Sequence, residues 1–264
     1  MTIQILKSLL SIIVLVYLGL GALLYFFQQH FIYFPSSEVV DDSQPSIKVS
    51  SDNEIINVWQ VNPGNKDAAI YFCGNAQNAY YAIPQFKKMI TDKTIYIVDY
   101  RGYGGSSGKP GEQALFTDAV NIYDYIKSYH ENISVIGQSI GSGVAVYLAS
   151  KREVKKLILN TPFDSFAAVA KHHYPFFPIG RLLNDKFDSL SRVASIKAKT
   201  LIVIAGKDRI IPKDHAYKLA AAFKPEQLTI VELPNVGHNT LTQHPLYEST
   251  ISDFLQQPVK ADNE

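Results

Sequence analysis

ISVIGQSIGSGVAVYLAS, residues 133–150, joins an apolar run to a G-x-S-x-G string and then to a second apolar stretch rich in small residues. The run reads as a strand near 134–137 and the stretch after Ser139 as a helix over 140–150. Between them the chain must turn sharply at Ser139. Flanking glycines allow that strained turn and let the helix approach the sheet, so the serine side chain would project above the sheet edge. The plainer alternative is a serine that caps the helix with its own hydroxyl.

Outward from this unit, apolar runs of β character alternate with helical periodicity. Strands are expected near 55–61, 68–72, 94–99, 156–160, 200–205 and 228–233. Leu115, Ala119, Ile122, Ile126 and Tyr129 recur at the spacing of an amphipathic helix, and further helices are expected over 80–89, 212–223 and 246–255. This alternation implies an α/β fold: a mostly parallel sheet with helices on both faces. One long irregular interval, 165–197, interrupts it and reads equally as a lid or as a structural excursion.

A serine hydroxyl needs a general base, and the base needs an orienting carboxylate. Asp208 follows the strand at 200–205 and His238 the strand at 228–233, so both fall on loops at strand C-termini, where an open α/β sheet places ligands. Their order after Ser139 is serine, acid, histidine. Asp164 is the reserve acid, and His172, His173, His215 and His244 are the competing histidines. Acyl transfer also requires donors for an oxyanion. The Ile140 N–H is one candidate; the loop after 68–72 offers Asn75, with Ala76 in reserve, or forms an ordinary strand-end turn. Cys73 beside it reads as a small buried residue. In the 99–108 stretch, Asp99 and Arg101 are expected to form an ion pair bracing the floor of the site, with substrate contact as the alternative.

The chain has 264 residues, 47% of them hydrophobic, and a formal net charge of +1. That suits one well-buried domain and gives no sign of a nucleic-acid partner. A single cysteine excludes an internal disulfide, and no Cys/His spacing suggests a structural metal. Residues 8–27 are uncharged and overwhelmingly apolar, long enough to span a hydrocarbon core of roughly 30 Å. A cleaved signal peptide is the competitor, but the run is too long for a usual h-region. Tyr25, Phe26, Phe27, Phe31, Tyr33 and Phe34 would suit the far interface. Lys7 precedes the run, and Glu38, Asp41 and Asp42 follow it. The positive-inside rule then puts the N-terminus in the cytoplasm and the rest outside, in the periplasm if the source is Gram-negative. The expected organisation is an anchor at 1–30, a juxtamembrane linker at 31–45, a hydrolase domain at 46–257 with a cap at 165–197, and a tail at 258–264.

The chain resembles the membrane-anchored α/β-hydrolases of the bud-emergence family, which are similar in turn to serine aminopeptidase-like and prolyl-oligopeptidase-like domains. The resemblance rests on CGNAQN (73–78), DYRGYGGSSGKPGE (99–112), GQSIGSGVA (137–145), TPFDSF (161–166), HYPFFPIGRLLNDKFDSL (173–190), GKDRIIP (206–212) and GHN (237–239), in order, plus the N-terminal anchor. It implies an α/β-hydrolase fold with Ser139 as nucleophile, Asp208 as acid and His238 as base. Relatives usually carry His at the place of Cys73 and commonly Gly at that of Gln77, so the support of the oxyanion loop is in question. The expected activity is cleavage of an ester or thioester of a small-molecule or acyl substrate, with no metal or organic cofactor. A serine peptidase of the same fold and a non-catalytic anchored binding protein are the alternatives.

Overall fold

The computed structural model describes residues 2–258 apart from Glu38, Val40 and Asp42. The acidic flank expected at Glu38 and Asp42, and the tail from residue 259 on, therefore lie outside the described residues. The chain opens with helix α1 (Thr2–Ile32), followed by β1 (Ser46–Ser51), β2 (Glu54–Val61), β3 (Asp67–Phe72), α2 (Ile83–Met89), β4 (Thr94–Val98) and α3 (Glu112–Lys127). Then come β5 (Asn132–Gln138), α4 (Ile140–Lys151), β6 (Lys156–Asn160), α5 (Phe166–His173), α6 (Ile179–Leu182), β7 (Lys199–Ala205), α7 (Lys213–Ala220), β8 (Leu228–Leu233) and α8 (Tyr247–Gln256).

The strands form one eight-stranded sheet in the order β1-β2-β4-β3-β5-β6-β7-β8. The β1–β2 and β2–β4 pairs are antiparallel and the remaining pairs are parallel. Strands β4 and β6 are buried along their whole length, as expected of strands covered on both faces, whereas edge strand β1 buries only Val49 and Ser51. That is why β1 escaped the sequence reading: SIKVSS has two large apolar residues and no sustained run.

Register sets up the site. Phe72 pairs with Gly137, Gln138 with Asn160, and Ala205 with Leu233, so the loops leaving β3, β5, β6, β7 and β8 share one edge.

Helix α1 stands apart from the core. It contains an apolar window of mean hydropathy 2.5, none of it buried by protein. Burial begins only toward its C-terminal end, at Gln28 and Ile32. The next residues are tied to the domain: the Tyr33 hydroxyl donates to Asp185 (2.9 Å), the Gly104 N–H to Ser36 O (3.0 Å) and the Tyr80 hydroxyl to Asp41 (2.7 Å). Of the aromatic cluster, Tyr25, Phe26, Phe27, Phe31 and Phe34 are exposed, but Tyr33 is buried.

The Asp99–Arg101 pair expected from their closeness in sequence does not form. Asp99 instead accepts from Asn57 Nδ2 (2.8 Å), Trp59 Nε1 (3.1 Å) and the Gly105 N–H (3.3 Å), and burial pushes its carboxyl up from the ordinary range. Gly104 has φ +50 and its missing Cβ would lie 2.5 Å from that carboxylate, so the turn closes over Asp99 only with glycine. Arg101 turns to α3, where Asp118 accepts from Nε (3.1 Å) and a terminal nitrogen (2.5 Å); Asp52 adds a contact at 3.2 Å. Removing Asp118 would leave a nearly buried guanidinium whose one remaining carboxylate, Asp52, is exposed, beside long bonds to Ser51 O (3.5 Å) and Oγ (3.4 Å). Asp118→Ala is expected to cost about 3 kcal/mol, read from the urea midpoint.

Candidate active site

Two glycines fix the turn after β5. A Cβ on Gly137 would lie 2.3 Å from Gly141 O and 2.7 Å from Ala145 Cβ; one on Gly141 would lie 2.3 Å from Phe72 O and 2.6 Å from Cys73 O. The start of α4 thus rests on β5 and on the end of β3 at a distance no side chain permits. Ser139 takes φ 54 and ψ −120, sterically unfavourable for a residue with a Cβ. The Ser139 N–H donates to Asn160 O (2.9 Å), and Ser139 O accepts from Ser142 Oγ (2.6 Å). Its hydroxyl makes no helix-capping bond, so the capping reading fails.

Ser139 Oγ lies 2.9 Å from His238 Nε2, and His238 Nδ1 lies 2.7 Å from Asp208 Oδ2. The other oxygen of Asp208 accepts the Ile210 (2.9 Å) and Ile211 (2.8 Å) N–H groups, which fixes the carboxylate plane. The two loops are stitched together as well: the Gly206 N–H donates to Leu233 O and the Lys207 N–H to Val236 O, both at 2.9 Å. His238 and Asp208 are nearly buried, with side-chain exposures of 8% and 2%. A buried, doubly anchored carboxylate holds the imidazole in one orientation toward the serine.

The competing residues go elsewhere. Asp164 accepts from His215 Nδ1 (2.8 Å) and Lys218 Nζ (2.5 Å), away from His238. His173 bonds Ile210 O (2.9 Å), and His244 Nδ1 accepts the Leu246 N–H (3.2 Å). Burial opposes ionisation of Asp164, but the bonds from Lys218, His215 and the Ser165 N–H together outweigh it and hold the carboxyl below its ordinary range. A carboxyl depressed on folding stabilises the protein above its unfolded pKa, and that contribution is lost as pH falls through the folded value. Asp164→Asn is therefore expected to flatten the acid limb of a melting-temperature profile, with little effect on chemistry at Ser139.

The loop after β3 is held by groups the sequence did not reveal. Cys73 O accepts the Tyr100 hydroxyl (2.7 Å), and Gln77 Oε1 accepts the Gly74 N–H (3.0 Å). The Tyr71 hydroxyl sits between Gln138 Oε1 (2.7 Å) and Gln77 Oε1 (3.0 Å). Gln77 thus supplies a side-chain brace to this loop that the Cys73 thiol does not. The Cys73 thiol is buried, and burial pushes its pKa up, away from a reactive thiolate. Asn75 Oδ1 accepts from the Tyr103 hydroxyl (2.8 Å), the Ala76 N–H (3.0 Å) and the Phe34 N–H (3.2 Å), and its Nδ2 donates to Ile32 O. The end of α1 is therefore fastened to the loop beside Ser139. Apart from Ala76, these partners lie 28 to 43 residues from Asn75 in the chain, beyond any local pattern.

Ser139 and His238 open into a cavity of about 690 Å³, whose walls include Phe31, Phe34, Tyr81, Phe166 and Val169. Phe31 comes from the last turn of α1 and Phe34 from just beyond it, Phe166 and Val169 from α5 in the interval 165–197. Part of that interval is thus a wall of the site.

The sheet order, the turn after β5 and the convergence of the loops define an α/β-hydrolase fold. A Pyrococcus furiosus esterase, Pf2001, shares it with a TM-score of 0.67 at 17% identity, over 84% of this chain and 98% of that one. The family model for serine hydrolase (FSH1) matches residues 68–240, and the chain belongs to that family: it is a serine hydrolase. An uncharacterized protein of Mycobacterium tuberculosis (strain H37Rv) is 33% identical over 248 residues, covering 87% of this chain and 86% of its own. Protein bem46 of Schizosaccharomyces pombe is 27% identical over 221 residues, 80% of this chain and 74% of that protein, in line with the bud-emergence resemblance. An uncharacterized membrane protein of Saccharomyces cerevisiae is 29% identical over 224 residues, 78% and 77% of the two chains.

Proposed function

We propose that this chain is a membrane-anchored esterase or thioesterase that works through Ser139, His238 and Asp208. The observation that carries the reading is the unbroken relay from Asp208 Oδ2 through the imidazole to Ser139 Oγ, with contacts of 2.7 and 2.9 Å. As Oγ attacks the substrate carbonyl, His238 Nε2 takes its proton, and Asp208 stabilises the imidazolium. The same nitrogen protonates the departing alcohol or thiol as the acyl-enzyme forms. Water then repeats the attack, giving its proton to His238, and the acid leaves with Ser139 restored.

The oxyanion is met by the N–H groups of Ile140 and Asn75. Ile140 opens α4, so its N–H has no carbonyl of its own helix to serve. The neighbouring Ala76 N–H is engaged by the Asn75 side chain, which favours the Asn75 N–H as second donor. Asn75→Ala keeps that donor but cuts its tether, and is expected to lower kcat about tenfold, below the 10²- to 10³-fold typical of losing a donor outright. A stopped chromogenic-ester assay on the folded variant, with its melting temperature read alongside, checks it.

The apolar cavity walls and the anchor favour an acyl substrate, and Lys7 ahead of α1 favours a cytoplasmic N-terminus with the hydrolase domain on the other side. The bonds from Gln77 and Asn75 remove the reason for a non-catalytic reading, which was the departure at Cys73. Rates on esters and acyl thioesters of increasing chain length, beside a peptide anilide, test the substrate class. Ser139-dependent turnover that rises with acyl length is expected; turnover confined to the anilide would overturn it.

A further inference from the structure

The cap is fastened along one face of α1. Near the domain, Gln28 Nε2 donates to Leu182 O (3.2 Å), the Asn184 N–H donates to Gln28 Oε1 (2.7 Å) and Gln29 donates to Asp185 (2.9 Å). Three turns back toward the N-terminus, the Tyr17 ring stacks on Phe177 with centroids 5.0 Å apart, and its hydroxyl donates to Phe176 O (2.8 Å). Gly21, one turn on from Tyr17, faces the same ring: a Cβ there would meet Phe177 in ordinary contact at 3.7 Å. From Tyr17 to Gln29 the cap follows the helix for ~18 Å at about 1.5 Å per residue.

This contact fixes the depth of the cap loop. A hydrocarbon core of about 30 Å takes up roughly 20 helical residues, and any such window that starts between Ile3 and Ser8 includes Tyr17. Whatever touches Tyr17 on α1 sits inside the hydrocarbon with it. A phenol there needs a hydrogen-bond partner, and the Phe176 carbonyl is one. The loop's surface agrees with such a setting. Residues 174–180, YPFFPIG, carry no charge, with Phe176 85% and Tyr174 50% exposed. Lys171 and Arg181, both exposed, flank the tip, the arrangement of an apolar element anchored among headgroups.

We infer that the cap loop Tyr174–Ile179 is immersed beside α1 in the leaflet facing the hydrolase domain, so that the catalytic cavity opens onto lipid acyl chains. The inference rests on α1 crossing the membrane. A second cavity of about 100 Å³ lies between α1 and the cap, its walls including Leu24, Tyr174 and Ile179. It shares Phe31, Ile32 and Phe166 with the cavity at Ser139, so these three residues stand between the bilayer side and the nucleophile.

The test uses the full chain in phosphatidylcholine vesicles brominated midway along the acyl chains. The single native tryptophan, Trp59, is buried in the sheet domain and serves as the unquenched internal reference. Phe176→Trp adds a reporter on the cap and Leu10→Trp one on α1. Emission from the Phe176→Trp indole is expected to fall to about half its value in unbrominated vesicles, as for a side chain held among acyl chains. If Leu10→Trp is quenched and Phe176→Trp is not, the cap stays out of the bilayer and the inference is overturned while the anchor stands. If neither is quenched, the anchor reading fails and the inference with it.

Discussion

His238→Ala is expected to lower ester turnover by on the order of 10⁴- to 10⁶-fold while leaving the fold intact. The imidazole is the only side chain bonded to Ser139 Oγ among the described residues, at 2.9 Å, and without it an un-ionised hydroxyl must attack with no proton acceptor. His215→Ala is the informative companion. His215 has its own carboxylate at 2.8 Å, so the two variants remove similar pairs from one protein. Loss of turnover in the first and a flatter acid limb of stability in the second, read as kcat and as melting temperature against pH, separates the two roles.

Gly141→Ala is expected to cost about 4 kcal/mol or more, among the larger single-substitution effects in a core. The added methyl would stand 2.3 Å from Phe72 O and 2.6 Å from Cys73 O, both backbone atoms that cannot rotate away. Relief requires α4 to lift off β3, and that separates Ser139 from the loop bearing Asn75. A urea midpoint shift together with lost turnover in the remaining folded fraction is the expected pair of results. Gly180→Ala, with nothing within 4 Å of the added methyl, is the neutral comparison.

How far the sequence could be read depended on the range of the interactions. Strands β2 to β8 were legible from their β-rich apolar runs, and the Ser139, Asp208 and His238 candidates because each follows such a run at the sheet's C-terminal edge. The structure brings those three together within hydrogen-bond distance. Arg101 was misread because closeness in sequence to Asp99 outweighed the unseen approach of α3, which carries Asp118. The stretch 31–45 read as a spacer because its partners are distant in the chain: Tyr33 meets Asp185 across 152 residues, and Ile32 meets Asn75 across 43. Cys73 drew attention as a departure, yet Gln77, four residues on, carries the compensating bond to Gly74. Local pattern reports strands and turns; it does not report which side chains a fold brings back to a loop.

The central claim is that Ser139 is an activated nucleophile. The most direct measurement is covalent labelling by a fluorophosphonate, performed on the full chain in vesicles with Ser139→Ala alongside. Wild type labelled at Ser139 and an unlabelled, folded Ser139→Ala is the expected result. A folded wild type that stays unlabelled, or a Ser139→Ala variant labelled equally, would contradict it.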